Sequence, residues 1–483
     1  MLWSSVRDSG MGSPGGRFGP HREQMSTTFL ARPRAVLVGV QLPGVSDVDH
    51  AANLAEMGRL MRTLGYETVA TVTQRRAGMG AGTVLGAGKL KELATVTGGR
   101  GFVPSGAPGR TSKARARFEN ADDGAEVDVD RAATDSQKGD AESALQPTVV
   151  VVDHELTPSQ VHNLEQATGA QVLDRTGVIV EIFNLHARSR EARMQVEIAR
   201  LNYLAPRMRE STGRTERRRG RGTGDSALEV DRRRIRDRLA ELRAGLAAIQ
   251  RDQDQRRNAR RDQLRVALVG YTNAGKSSLM RALTGSDVLV ADQLFATLDT
   301  TVRALQPETR PRVLISDTVG FIQKLPHDLV ASFRATLDEA LEASLLLYVV
   351  DASDPTCDAQ LEVTRQVLRE IGAAEVPSKL LLNKADRLDA PARAALLARH
   401  PEAILLSAHR PDDTVALRQS ILEFFEAGMI EAELVIPYAR QERVGEVYEN
   451  ARVVAETFDE SGRRLRVRGL PAAIAKLARA FAD

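Results

Sequence analysis

The sequence predicts an α/β chain built around a doubly wound, mostly parallel sheet with a phosphate-binding P-loop. A small α/β domain with a helical hairpin precedes that sheet, and a small α/β tail follows it. Three observations predict this. Short apolar runs alternate with helical patterns along most of the chain. One such run, Val266 to Val269, leads straight into the octapeptide Gly270-Tyr-Thr-Asn-Ala-Gly-Lys-Ser277. The length of 483 residues exceeds what one ordinary domain holds. Hydrophobic residues at 42% and charged residues at 27% are the balance of core-forming chains and exclude wholesale disorder. A net charge of +3 is too small to attract nucleic acid on its own, so any such affinity must come from local clustering. The single Cys357 cannot close an intramolecular disulfide. No apolar run approaches the ~18 residues of a membrane helix, so a cytoplasmic location is expected.

Residues 1–33 are rich in Gly, Ser and Pro, lack an apolar segment and read as a disordered extension, with Met25 as a second candidate start. Residues 34–187 read as an α/β domain, with strands at Ala35 to Gly39 and Thr148 to Asp153 and a helix from near Thr157. Within it, residues 97–147 hold hardly any large apolar side chains and are expected to form a disordered insertion, because such composition cannot offset the entropy of ordering. Residues 188–262 read as a helical hairpin. Met194, Ile198, Leu201 and Leu204 share one helix face until Pro206, which is expected to end it. Arg207 to Asp225 reads as a loop, and Leu228, Ile235, Leu239, Leu242, Leu246 and Ile249 form a coiled-coil-like seam. Arg214, Arg217, Arg218, Arg219 and Arg221 crowd that loop without an apolar face, and phosphates best relieve their repulsion, which makes them the candidate RNA contact. Residues 263–428 carry five further apolar strands, at Val266 to Val269, Arg312 to Ser316, Leu345 to Val350, Lys379 to Leu382 and Ala403 to Leu406. Residues 429–483 form an α/β appendage with a strand at Leu434 to Ile436 and an amphipathic end from Pro471 to Phe481.

The chemistry lies at the ends of the middle strands. The strand, glycine-rich loop and helix around Gly270, Tyr271, Thr272, Asn273, Ala274, Gly275, Lys276, Ser277 and Ser278 let backbone N–H groups converge on a β-phosphate at a helix N-terminus. Lys276 is expected on the β- and γ-phosphates and the Ser277 hydroxyl on Mg²⁺. Asp317-Thr-Val-Gly320 after the next strand offers a carboxylate near that ion and an N–H for the γ-phosphate. Asn383, Lys384 and Asp386 choose the base, because a carboxylate can accept from guanine N1–H and its 2-amino group, which adenine does not offer. Ser407, Ala408 and His409 form a turn whose Ala408 N–H suits guanine O6. Between the P-loop and Asp317, Thr297 is favoured over Thr300 and Thr301 as a further Mg²⁺ ligand. These motifs, in this order, describe a guanine-nucleotide-binding domain. Phe321 stands where many such proteins carry a water-orienting Gln, so hydrolysis is expected to depend on a partner or an added cation, and no residue is assigned as catalytic.

Outside these motifs the chain resembles the HflX family of ribosome-associated GTPases. The resemblance is carried by Leu85-Gly-Ala-Gly-Lys89 with Glu92-Leu93, by Asp174-Arg-Thr176 through Ile182-Phe183, by Gln195 to Ala199 with Tyr203-Leu204 and Pro206-Arg207, and by Glu229 to Arg233. It implies an N-terminal domain and hairpin that bind the large ribosomal subunit, splitting stalled ribosomes, with a GTPase domain that times release; the protein is expected to act as a monomer. In some related GTPases an Asn at the position of Asn273 helps to hold K⁺, so K⁺ is a candidate second cation. A ribosome-assembly or rRNA-binding switch is the alternative reading, and Asp386 argues against an ATP-driven RNA-remodelling enzyme.

Overall fold

The computed structural model describes residues 32–80, 82–103, 146–212, 227–258, 263–286, 294–295, 301–323 and 339–482, and all the contacts below lie within the unit Pro33–Asp483. Strands β1 (Arg34–Gln41), β2 (Glu67–Arg75), β3 (Val149–Val152) and β4 (Gln171–Asp174) form a parallel four-stranded sheet in the order β2-β1-β3-β4. Every residue of Val149–Val152 is buried, as an apolar strand covered on both faces requires. On one face Ala35, Leu37, Val149 and Val151 pack with helices α1 (Asp47–Thr63) and α4 (Arg175–His186). On the other, Val36, Val38, Val150 and Val152 pack with α2 (Ala87–Thr97) and α3 (Pro158–Thr168).

The expected insertion begins later than its composition suggested. Thr97 is the last residue of α2, buried, with its hydroxyl on the Thr168 carbonyl at 2.8 Å. Gly101 N–H bonds the Ala167 carbonyl at 2.9 Å, and a Cβ on Gly99 would lie 2.4 Å from the Thr168 carbonyl. Residues 97–103 therefore belong to the domain. Their glycines pack by backbone, which a count of apolar side chains does not register. At the far end Gln146 lies against Gly98, and residues 104–145 lie outside the described residues.

The hairpin departs from expectation at Pro206, because α5 (Arg190–Thr212) runs through it and the loop cannot begin at Arg207. Arg207 explains this. Its guanidinium lies over the Tyr203 ring at 3.5 Å, donates to the Tyr203 carbonyl at 2.9 Å and bonds Asp174 at 2.5 Å, holding the turn that the missing proline N–H weakens. The partner helix α6 (Ala227–Asn258) buries Leu242 and half-buries Ile235, Leu239, Leu246 and Ile249, as the seam requires. Gly245 lets it approach α5, since a Cβ there would lie 3.1 Å from Met194 Cε. Ala192, Val196 and Ala199 of α5 join the core of the first domain.

Six strands follow: β5 (Leu264–Gly270), β6 (Thr301–Ala304), β7 (Val313–Asp317), β8 (Leu345–Asp351), β9 (Ser378–Asn383) and β10 (Ile404–Leu405). Their order is β10-β9-β8-β5-β7-β6. All pair in parallel except β6, an antiparallel edge that the sequence pattern did not reveal. Helices α7 (Lys276–Thr284) and α10 (Pro411–Ala427) cover one face of this sheet and α8 (Cys357–Ile371) the other, where α9 (Ala390–Arg399) packs beside it against β8 and β9. The C-terminal part is an antiparallel sheet in the order β11-β13-β12, from Ile430–Ile436, Arg452–Asp459 and Gly462–Gly469. Helices α11 (Val444–Asn450) and α12 (Pro471–Ala482) close its core. No helix among the described residues is long and apolar enough to cross a membrane.

Candidate nucleotide-binding site

Parallel pairing brings the carboxyl ends of β5, β7, β8 and β9 to one edge, where an open α/β sheet leaves room for a ligand. Gly270 leaves β5 with φ 154°, and a Cβ there would lie 2.1 Å from the Val349 carbonyl oxygen, so only glycine lets the chain turn beneath β8. Gly275, at φ 95°, opens α7, and a Cβ on it would meet Asn383 Nδ2 at 2.2 Å. The first N–H groups of α7, including those near Ser277 and Ser278, have no carbonyl partners within the helix and face that edge.

The loop is braced from β9. Asn383 Nδ2 donates to the Ala274 carbonyl at 2.8 Å, and Lys384 Nζ donates to the Asn273 carbonyl and to Asp351 Oδ2, both at 2.7 Å. Asn273 itself is exposed and left-handed at φ 61°, a conformation Asn tolerates. Ala408 N–H donates to Asn383 Oδ1 at 3.1 Å, so the O6 contact expected of it would have to share this donor. Asp386 is exposed, and the Ser407 hydroxyl beside it holds its carboxyl below the usual range. Ser407 is buried and fixed by its own N–H on Asp413 Oδ2 at 2.8 Å, while its oxygen accepts the N–H of exposed His409 at 3.3 Å.

Lys276 is buried, with Nζ donating to the Gly270 carbonyl at 3.0 Å and the Tyr271 carbonyl at 2.9 Å. Burial pulls its pKa down to about 8 against the opposing charge of Asp317. Ser277 Oγ donates to Asp317 Oδ2 at 2.6 Å. Past Asp317 the chain is stitched to the P-loop: Thr272 N–H bonds the Phe321 carbonyl at 2.8 Å, and Phe321 N–H bonds the Gly270 carbonyl at 3.1 Å. A Cβ on Gly320 would lie 3.0 Å from Lys276 Nζ, so this glycine permits the close approach. The Phe321 ring is buried in the core under α8, where it cannot orient a water. Thr297 and the five arginines Arg214, Arg217, Arg218, Arg219 and Arg221 lie outside the described residues.

Residues from the first domain also reach this edge, and the motifs did not find them. Glu56 accepts from the Tyr271 hydroxyl, and Arg175 donates to the Gln323 carbonyl at 3.0 Å. Asp174-Arg175-Thr176 was visible as a pattern, but nothing in the sequence tied it to the nucleotide site.

Residues 265–384 match a family described as 50S ribosome-binding GTPase, residues 186–260 a GTP-binding GTPase middle region, and residues 51–101 and 136–184 a GTP-binding GTPase N-terminal region. GTPase HflX of Gluconacetobacter diazotrophicus is 66% identical over 450 residues, covering 93% of this chain and 98% of that protein. GTPase HflX of Caldanaerobacter subterraneus subsp. tengcongensis is 35% identical over 446 residues, 89% of this chain and 90% of its own. GTPase HflX of Escherichia coli is 38% identical over 331 residues, 67% and 78%.

Proposed function

The chain belongs to the HflX family of GTPases, and from that premise we propose that it uses GTP to bind the large ribosomal subunit and split stalled ribosomes, acting as a cytoplasmic monomer. Binding and hydrolysis of GTP follow from family membership; the ribosomal partner is the further step. The observation that carries it is the hairpin. Helices α5 and α6 pair along their seam, and the segment joining them holds Arg214, Arg217, Arg218, Arg219 and Arg221.

In this reading the α7 N-terminus and Lys276 take the phosphates, the Gly320 N–H takes the γ-phosphate, and Asp386 reads the base. The Ser277 and Asp317 oxygens, 2.6 Å apart, are the hard-oxygen set that Mg²⁺ prefers, and with Thr297 they would hold it. The ion supplies neutralisation of the phosphate charge. Asn273, exposed at the loop tip, is the proposed K⁺ contact.

Replacing the five arginines with Ser should weaken large-subunit binding and leave GTP affinity of the free protein intact. If the segment neutralises about four phosphates, the wild-type slope of log K against log salt should be about −3, and the variant's slope should be flatter. Sedimentation at several salt concentrations measures both. An unchanged slope removes the segment from the interface, and binding without dissociation of intact ribosomes favours an assembly switch.

Lys276 gives a second expectation. A polyphosphate holds the ammonium charged, whereas in the free protein it loses its proton near pH 8, so nucleotide binding should take up about half a proton at pH 8. Affinity is then full below that range and declines as the pH rises through it. Calorimetric titration in buffers of different ionisation enthalpy measures the uptake, and buffer-independent heats would exclude it.

A further inference from the structure

A buried cluster joins the first domain to the nucleotide site, and the chemistry of GTP hydrolysis does not use it. The Tyr271 hydroxyl donates to the Glu56 carboxylate of α1 and accepts the Gln323 N–H at 2.8 Å. Burial pushes this phenol well above its ordinary range, so the proton stays on it. Arg175, the first residue of α4, bonds Glu56, Asp153 at 2.7 Å and the Gln323 carbonyl at 3.0 Å. Both backbone polar groups of Gln323, three residues beyond Gly320, are thus held by this cluster.

The preceding residue faces the hairpin. Asp174 caps α4 by accepting from Gly177 N–H at 2.8 Å, and the same carboxylate takes the Tyr203 hydroxyl at 2.8 Å and Arg207 at 2.5 Å, both on α5. Gly177 permits this approach, because a Cβ there would lie 2.4 Å from the Tyr203 hydroxyl and push the ring away. Farther along α4, Phe183 meets the Phe295 ring edge-on at 4.6 Å, while Leu294 N–H bonds the hydroxyl of Thr63 on α1 at 3.3 Å. One helix therefore touches both segments that flank β6 and β7, and its first residue and N-cap link the Gln323 turn to α5.

We propose that Arg175 is a positioning residue for the Gln323 segment, and that Asp174-Arg175 relays the presence of the γ-phosphate to the hairpin through α4. The relay rests on the GTPase reading and on Gly320 as the γ-phosphate sensor. Phe321, pinned to the P-loop through both its backbone groups, follows Gly320, so drawing Gly320 toward a γ-phosphate shifts that stitch and the Gln323 turn two residues beyond it together, and Arg175 cannot keep both its carboxylates and the Gln323 carbonyl unless α4 follows. By reciprocity, whatever the hairpin binds must bias nucleotide affinity by the same factor.

The test is hydrogen exchange in the full chain with GDP or GTPγS bound, read in α5 from Leu201 to Thr212. Wild-type exchange should differ by about 5-fold or more between the two nucleotides. Tyr271→Phe removes the hydroxyl that accepts the Gln323 N–H and donates to Glu56, and Tyr203→Phe removes one of the two α5 bonds to Asp174, leaving that of Arg207. Each should collapse that ratio toward one, and the double variant should lose no more than either single. A merely structural role would instead raise exchange equally with both nucleotides. A wild-type ratio surviving in both variants, or equal exchange in the wild type with both nucleotides bound, overturns the relay. The ribosomal reading is decided separately by the salt titration, so either can fail while the other stands.

Discussion

Asp386→Asn is expected to weaken GTP binding by about 100-fold or more and to turn preference toward xanthosine nucleotides. The carboxylate offers two acceptors to guanine N1–H and the 2-amino group, and hydrogen bonds to a charged acceptor contribute about 1.5–3 kcal/mol each, which is roughly 10²–10⁴ in affinity for the pair. The local structure supports the assignment. Ser407 is buried, fixed by Asp413, and turns its hydroxyl to the Asp386 carboxylate, so an exposed side chain has its orientation set from below. An amide at this position can donate to a 2-oxo group but loses the second acceptor, which is why the preference inverts. Equilibrium titration with GTP and xanthosine triphosphate measures both changes, and GTP affinity equal to wild type would move base recognition elsewhere.

What the sequence made legible was local. Gly270 to Ser277, Asp317 to Gly320 and Asn383 to Asp386 each sit within a few residues of a strand end, so strand pattern and motif spacing place them without knowledge of the tertiary fold. Parallel pairing then brings them to one edge almost automatically. What escaped depends on partners far away in the chain. Glu56 and Tyr271 are 215 residues apart, and Arg175 and Gln323 are 148 apart, so no window of sequence shows either pair. Pro206 misled for the same reason. Its local effect is to break a helix, but Arg207, anchored on Asp174 from 33 residues back, holds the turn together. At Thr97 to Val103 much of the packing is by the backbones of Gly99 and Gly101, which carry no hydrophobic signal, beside the side chains of Thr97 and Val103.

Arg175→Met should lower the stability of the folded chain by about 3–5 kcal/mol at neutral pH. Met approximates the length of the arginine stem, so packing changes little, and the effect isolates charge. Arg175 is 2% exposed, and its partners Asp153 and Glu56 are 2% and 7% exposed, so removing the guanidinium takes the positive charge from beside two carboxylates buried away from water. In the wild type burial acts to lower the Arg175 pKa, but the two carboxylates outweigh it and hold the guanidinium above its ordinary value. Adding Glu56→Gln to Arg175→Met removes one of these buried charges and should recover part of the loss, whereas independent sites would make the double variant worse than either single. Denaturant midpoints of the three variants decide the matter. A loss below about 1 kcal/mol, of the size ordinary at a solvated ion pair, would mean that water enters the cluster, and a hydrated Arg175 could not hold Gln323 against the pull of a γ-phosphate.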